Sequence, residues 1–152
     1  MSDTIAIIGA GMAGLTCARL LSDAGRDVVV LDKGRGIGGR LATRRTDIGV
    51  QFDHGAQYIS PKTEEFGKLL LTAEQDGYVA LWDDGQGDDH FVGTPGMNGL
   101  AKYLAQGLPV RQKALVTAVW HEGDEWQLEV DGAQEAFGTV VCTKPHPQTN
   151  EL

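Results

Sequence analysis

The chain opens on a continuously apolar run, Ile5-Ala6-Ile7-Ile8. A run of that length without alternation predicts a short strand covered on both faces, as in a parallel sheet. A glycine-rich turn follows. Leu15, Ala18, Leu20 and Leu21 then recur at helical spacing, with Gly25 as a stop. Asp27 to Leu31 is β-branched and nearly all apolar, which predicts a second parallel strand. Ser60-Pro61 predicts an N-cap and first helical position, and Phe66, Leu69, Leu70 and Ala73 form one helix face reaching about Gln75. A strand is expected over 77–82 and a loop over 83–89. Asn98 would cap a short helix carrying Leu100, Tyr103 and Leu104. Three strands are expected near the end, roughly 112–121, 126–130 and 136–142. Glu122-Gly123-Asp124 and Asp131-Gly132 supply their turns, which predicts an antiparallel meander.

The first glycine-rich turn carries chemistry. Gly9-Ala10-Gly11-Met12-Ala13-Gly14 stands between a strand and a helix. Glycines admit a pyrophosphate close to backbone because no Cβ intervenes, and they tolerate positive φ. Gly9 would make the tight turn, Gly11 would let the main chain meet the phosphates, and Gly14 would let the helix pack on the strand. The helix N-terminus offers free N–H donors to the anion. Asp32 follows Gly14 by 18 residues, near the ~20 expected of an acid that accepts ribose hydroxyls. Strand, loop, helix, strand and acid in that order predict a dinucleotide site rather than an accidental turn.

A second loop follows the acid: Lys33-Gly34-Arg35-Gly36-Ile37-Gly38-Gly39-Arg40. Its Gly38-Gly39-Arg40 element resembles the second FAD fingerprint of the flavin amine oxidase superfamily. Phe52-Asp53-His54-Gly55-Ala56-Gln57-Tyr58 resembles the block that passes the flavin ring there. Phe91 to Leu100, with Gly96, Met97 and Asn98, resembles the segment on the substrate side, and Pro145-His146-Pro147-Gln148 also resembles the family. Within the superfamily the pattern is most similar to the bacterial renalase branch.

That resemblance implies noncovalent FAD as cofactor. Gly9, Gly11, Met12, Ala13 and Gly14 would meet the pyrophosphate, Asp32 the adenosine ribose with Lys33 beside it, and Gly39 and Arg40 the phosphate. Ala56 and Gln57 would lie along the flavin, and the backbone of Val116 would read the adenine edge. Tyr58, Gly96, Met97 and Asn98 would face substrate. The implied activity is oxidation of isomeric dihydro-NAD(P) carrying hydride at the 2 or 6 position, with dioxygen reduced to hydrogen peroxide. An amine oxidase or desaturase, and a nucleotide-binding chain without turnover, are the alternatives. No catalytic acid or base is expected from the protein, because the flavin does the redox chemistry.

The expected fold is α/β: a Rossmann-type FAD/NAD(P)-binding domain with a parallel sheet plus an antiparallel β-meander, part of a two-domain flavoprotein fold. The segments expected are 1–60 for FAD binding, 61–108 as part of a substrate domain, and 109–152 as the meander returning to the FAD domain. With 152 residues, the C-terminal half of such a fold is expected to be absent.

Composition narrows the partners. A net charge of −8 argues against nucleic acid and acidic membrane surfaces. No apolar run approaches the ~20 residues of a membrane span, and nothing resembles a signal peptide. Cys17 and Cys142 are expected as free thiols, Cys142 in a buried strand, which suits the cytoplasm. The 83–89 acidic stretch lacks calcium-loop spacing and is expected to be solvated. His54, His90, His121 and His146 lack ligand spacing, so no metal is expected. A structural hydrogen bond is expected for His54. Tyr58, Trp82 and Tyr103 are expected in the core, with Tyr58 the best exception. Arg44 and Arg45 are divided between substrate contact and surface charge, and oligomeric state stays open.

Overall fold

The computed structural model describes residues 2–83, 85, 89–145, 149 and 152. In chain order the elements are β1 (Ile5–Ile8), α1 (Met12–Asp23), β2 (Val28–Asp32), β3 (Thr43–Arg45), β4 (Gln51–Asp53), α2 (Glu64–Gln75), β5 (Val79–Trp82) and β6 (His90–Gly93). After these come α3 (Gly99–Leu104), β7 (Val110–Gln112), β8 (Val116–Glu122), β9 (Glu125–Val130), β10 (Ala133–Phe137) and β11 (Thr139–Cys142). They form two compact units, one of Met1–Ile37 with Ala105–Leu152, the other Gly38–Leu104.

The first unit holds a four-stranded sheet in the order β11-β1-β2-β7, all parallel. Parallel strands need both faces covered, and Ile5 to Ile8, Val30 and Leu31 are buried accordingly. Leu15 and Ala18 bury the inner face of α1, whereas Leu20, expected on that face, is 66% exposed. Gly25 stops the helix at a φ of 75°, its amide donating to the Ser22 carbonyl. The antiparallel sheet β10-β9-β8 adds Leu128, Val130, Val116 and Phe137 to a core shared with Ala6, Ile8 and Leu31. Arg111 on β7 and Glu135 on β10 close a bidentate ion pair at 2.6 and 2.8 Å. Those hydrogen bonds raise the guanidinium pKa and hold the carboxyl below its ordinary value.

The second unit holds two antiparallel hairpins, β3-β4 and β5-β6, with α2 and α3. Leu70 and Ala73 of α2, Val79, Phe91 and the buried Leu100 and Leu104 of α3 form its interior.

Several expectations are corrected. Helix α2 is capped by Thr63, whose hydroxyl accepts from the Phe66 amide at 3.2 Å, and not by Ser60. The strand expected over 136–142 is two strands: β10 completes the meander, and β11 joins the parallel sheet beside β1. The strand expected over 112–121 divides at Lys113, whose φ is 59°, into β7 of the parallel sheet and β8 of the meander. Cys142 is exposed, not buried. Trp82 and Tyr58 are both more than 40% exposed, so neither is a core aromatic. Most of the 83–89 loop, and the His146-Pro147-Gln148 motif, lie outside the described residues.

Candidate functional site

The expected site residues fall into two sets, one in each unit. In the first unit the turn after β1 is built as the sequence requires. Gly9 takes a φ of 109°, and its amide donates to the Leu31 carbonyl at 2.8 Å. The two later glycines of the turn serve different needs. A Cβ on Gly14 would fall on the Gly9 carbonyl oxygen, so Gly14 is small for the protein's own packing. A Cβ on Gly11 would meet nothing within 4 Å. Gly11 is the N-cap of α1 and brings no side-chain hydrogen bond to that terminus. The start of the helix is therefore open at Gly11, with no atom within 4 Å of where a side chain would stand. An anion fits such a place.

Asp32 ends β2 and joins the two glycine loops. One carboxylate oxygen accepts the Ala10 amide at 2.6 Å, and the other accepts the Gly34 amide at 2.7 Å. Each oxygen retains a second lone pair for a ligand hydroxyl. The Asp32 carbonyl accepts the Ala114 amide at 2.9 Å, and the Gly34 carbonyl accepts the Lys113 amide at 2.8 Å. The chain leading to Val116 is thus fastened beside the acid. Val116 itself is buried, at a β-bulge between Val116 and Ala118. Lys33 is exposed.

In the second unit Gly38 and Gly39 take φ of 120° and 56° and open a 3-10 turn, Gly39–Leu41, that presents Arg40 to solvent. The Arg40 carbonyl accepts the Ala56 amide at 2.8 Å, and a Cβ on Gly55 would intrude on that same carbonyl. Arg40 and the Ala56-Gln57 block are therefore one built piece. Ile59 exchanges two backbone hydrogen bonds of 2.8 Å with Phe91. That pairing sets the Tyr58 ring 4.2 Å from His90 and 6.0 Å from Trp82 between centroids. His54 is exposed.

The turn with Gly96, Met97 and Asn98 is pinned by residues given no role at the sequence level. One Asp53 oxygen accepts the Met97 amide at 2.9 Å and the Thr43 hydroxyl at 2.5 Å. The Thr43 hydroxyl also accepts the Asn98 amide at 3.3 Å. Gly96 must be small because a Cβ would stand 2.8 Å from that hydroxyl. The Met97 side chain is 2% exposed, its sulfur accepting the Gly93 amide at 3.4 Å, so it belongs to the core and offers a ligand no side-chain contact. Arg44 and Arg45 stand exposed on β3, Arg45 donating to Gln51 across the hairpin at 3.0 Å. Thr143, at the end of β11, is a further residue the sequence did not flag. Its signal is positional, since it follows the strand that closes against β1.

Among the described residues no group of three or more His, Cys, Asp or Glu could hold a metal ion. None of their helices is long and apolar enough to cross a membrane.

Residues 7–70 match the NAD(P)-binding Rossmann-like domain family. Putrescine oxidase of Kocuria rosea is 29% identical over 150 residues, covering 97% of this chain and 28% of that protein. Human flavin-containing amine oxidase B is 37% identical over 65 residues, 43% of this chain and 12% of that protein. The solved structure of an Exiguobacterium sp. 255-15 protein assigned as a protoporphyrinogen oxidase superposes with a TM-score of 0.77. It covers 100% of this chain and 61% of its own at 14% identity, a likeness of fold. The chain spans less than a third of the length of these curated relatives.

Proposed function

We propose that this chain, whose likenesses support the flavin amine oxidase superfamily, binds FAD and serves a flavin-dependent oxidoreductase. The observation that carries the reading is the Asp32 carboxylate, held by the Ala10 and Gly34 amides beside a helix terminus that Gly11 leaves open. Bound there, FAD supplies the two-electron chemistry, accepting a hydride and returning electrons to dioxygen. The chain's own part is to bind and orient. Backbone donors from Gly11 to Gly14 take the pyrophosphate, and Asp32 takes the ribose hydroxyls with Lys33 beside it. Val116 offers backbone to the adenine edge. Gly39 and Arg40 face phosphate, and Ala56 and Gln57 face the flavin. Tyr58 and the Gly96-Met97-Asn98 turn face substrate, the turn being held by the Met97 amide on Asp53.

The substrate we propose is an isomeric dihydro-NAD(P), which gives up hydride while dioxygen and a proton become hydrogen peroxide. Its support is the sequence resemblance to bacterial renalases over blocks 52–58 and 91–100. A second reading is an amine substrate. It is favoured by the putrescine oxidase likeness, which runs over 97% of this chain.

The test begins with the visible spectrum of the purified chain and identification of any nucleotide released on denaturation. FAD, found bound or taken up on titration, is the expected result, and a chain that holds none overturns the proposal. Peroxide formation is then followed with 2- and 6-dihydro isomers of NAD(P) and with putrescine. Turnover of the isomers alone supports the first reading, and turnover of the amine alone replaces it with the second.

A further inference from the structure

Thr143 sits where the last parallel strand meets the glycine turn. Its backbone amide donates to the Ile8 carbonyl at 2.9 Å. Its hydroxyl is 2.9 Å from that same carbonyl and 3.3 Å from the Gly9 carbonyl. The hydroxyl also occupies the space the glycines vacate. A Cβ on Gly9 would stand 2.8 Å from it, and one on Gly14 would stand 2.9 Å from it. Two glycines of the turn are therefore small in part to admit one hydroxyl from a residue 134 positions beyond Gly9.

We propose that Thr143 is a positioning residue for the phosphate-facing turn, setting how tightly the turn holds a dinucleotide. This rests on the dinucleotide-binding reading above. The hydroxyl fixes the direction of the Ile8 and Gly9 carbonyls, and through the Gly9–Ala10 peptide plane the Ala10 amide that holds the Asp32 carboxylate. A methyl group cannot replace it, because carbon held 2.9 Å from a carbonyl oxygen lies inside van der Waals contact, and the turn must move to relieve it.

The experiment compares Thr143→Val, Thr143→Ala and Thr143→Ser with the parent 152-residue chain, titrating each with FAD and following thermal unfolding without nucleotide. Thr143→Val removes the hydroxyl and keeps the volume. Thr143→Ala removes it without pressing a methyl on the carbonyls. Thr143→Ser keeps it. Loss of one ordered hydrogen bond to the turn corresponds to roughly three- to tenfold in Kd. Thr143→Val and Thr143→Ala are expected to weaken FAD by about that factor, and Thr143→Ser to restore binding to within about twofold of the parent. Parent-like affinity in folded Thr143→Val or Thr143→Ala, or a loss in Thr143→Ser equal to theirs, overturns the positioning role and leaves the dinucleotide reading intact. A parent chain that binds no FAD overturns both.

Discussion

Gly11 and Gly14 stand three residues apart in one turn, yet replacing each with alanine tests opposite things. At Gly14 the added methyl meets the backbone carbonyl of Gly9, with the Thr143 hydroxyl 2.9 Å away. A backbone carbonyl just past the end of β1 cannot swing aside as a side chain can, so the overpacking cost lies near the upper part of the usual ~1–3 kcal/mol. Alanine returns ~1 kcal/mol of helix propensity, leaving a net loss of about 2 kcal/mol. For a chain of this size that lowers the Tm by roughly 4–8 °C.

At Gly11 the φ of −81° and ψ of −178° suit any L residue, and a methyl meets no atom within 4 Å. Alanine is a poorer N-cap than glycine by several tenths of a kcal/mol. It also narrows the unfolded ensemble by ~0.4–1 kcal/mol. The two nearly cancel, so stability without nucleotide should hold within about 0.5 kcal/mol, or ~1–2 °C. FAD affinity should nevertheless fall by roughly tenfold or more, because the methyl stands where a phosphate must approach the amides. Thermal unfolding without nucleotide and FAD titration measure the two quantities separately. Equal destabilisation by both substitutions, or unchanged FAD affinity in Gly11→Ala, would refute the division of labour assigned to these glycines.

Asp32→Asn replaces an acceptor-only group with one whose amide nitrogen must face the Ala10 or the Gly34 N–H. FAD affinity should drop by roughly tenfold or more, with faster hydrogen exchange at one of those two amides; unchanged exchange at both counts against the carboxylate as the tie between the loops. Arg40→Ala removes an exposed guanidinium while leaving the backbone that holds Ala56. FAD binding should weaken by about tenfold with Tm held within ~1 °C, and a matching loss of stability would reassign Arg40 to structure. Glu135 has a folded pKa below its usual 4.5, so its pair with Arg111 stabilises the fold above that value and the contribution is lost as pH falls through the lowered one. On a partly exposed pair the effect is about 0.5 kcal/mol. Glu135→Gln should be less stable than the parent at neutral pH by that amount and indistinguishable once the pH lies below the lowered pKa, as urea unfolding across pH would show.

The first strand, turn, helix, second strand and acid were legible because the apolar period and the glycine spacing agree with each other. The failures have physical causes. β3 and β4 are short, exposed and polar, carrying Arg44, Arg45 and Gln51, so no apolar period marks them. The turn at Lys113 uses positive φ without glycine, so β7 and β8 looked continuous. Gly138 ends the meander and its amide donates to the Thr4 carbonyl, a bond no local pattern announces. At the site, Gly9, Gly14 and Asp32 were visible because each answers a local demand of the turn. Thr143, Thr43 and Asp53 were not, because each acts on backbone far along the chain. The burial of the Met97 side chain was not announced by its neighbours in the chain.

The place of β11 beside β1 carries a consequence for how the molecule is made. The edge of β1 that receives β11 stays unpaired until the residues that close it, some 134 positions later, have been synthesised. Until β11 is made, a nascent chain therefore carries an open, fully apolar strand, a template for pairing with other copies. Such distant pairing is also slow to find. The glycine turn can reach its ligand-ready shape only after β11 arrives. Nucleotide added during in vitro translation should thus be captured late, and cell yields should depend on what shields β1 until then.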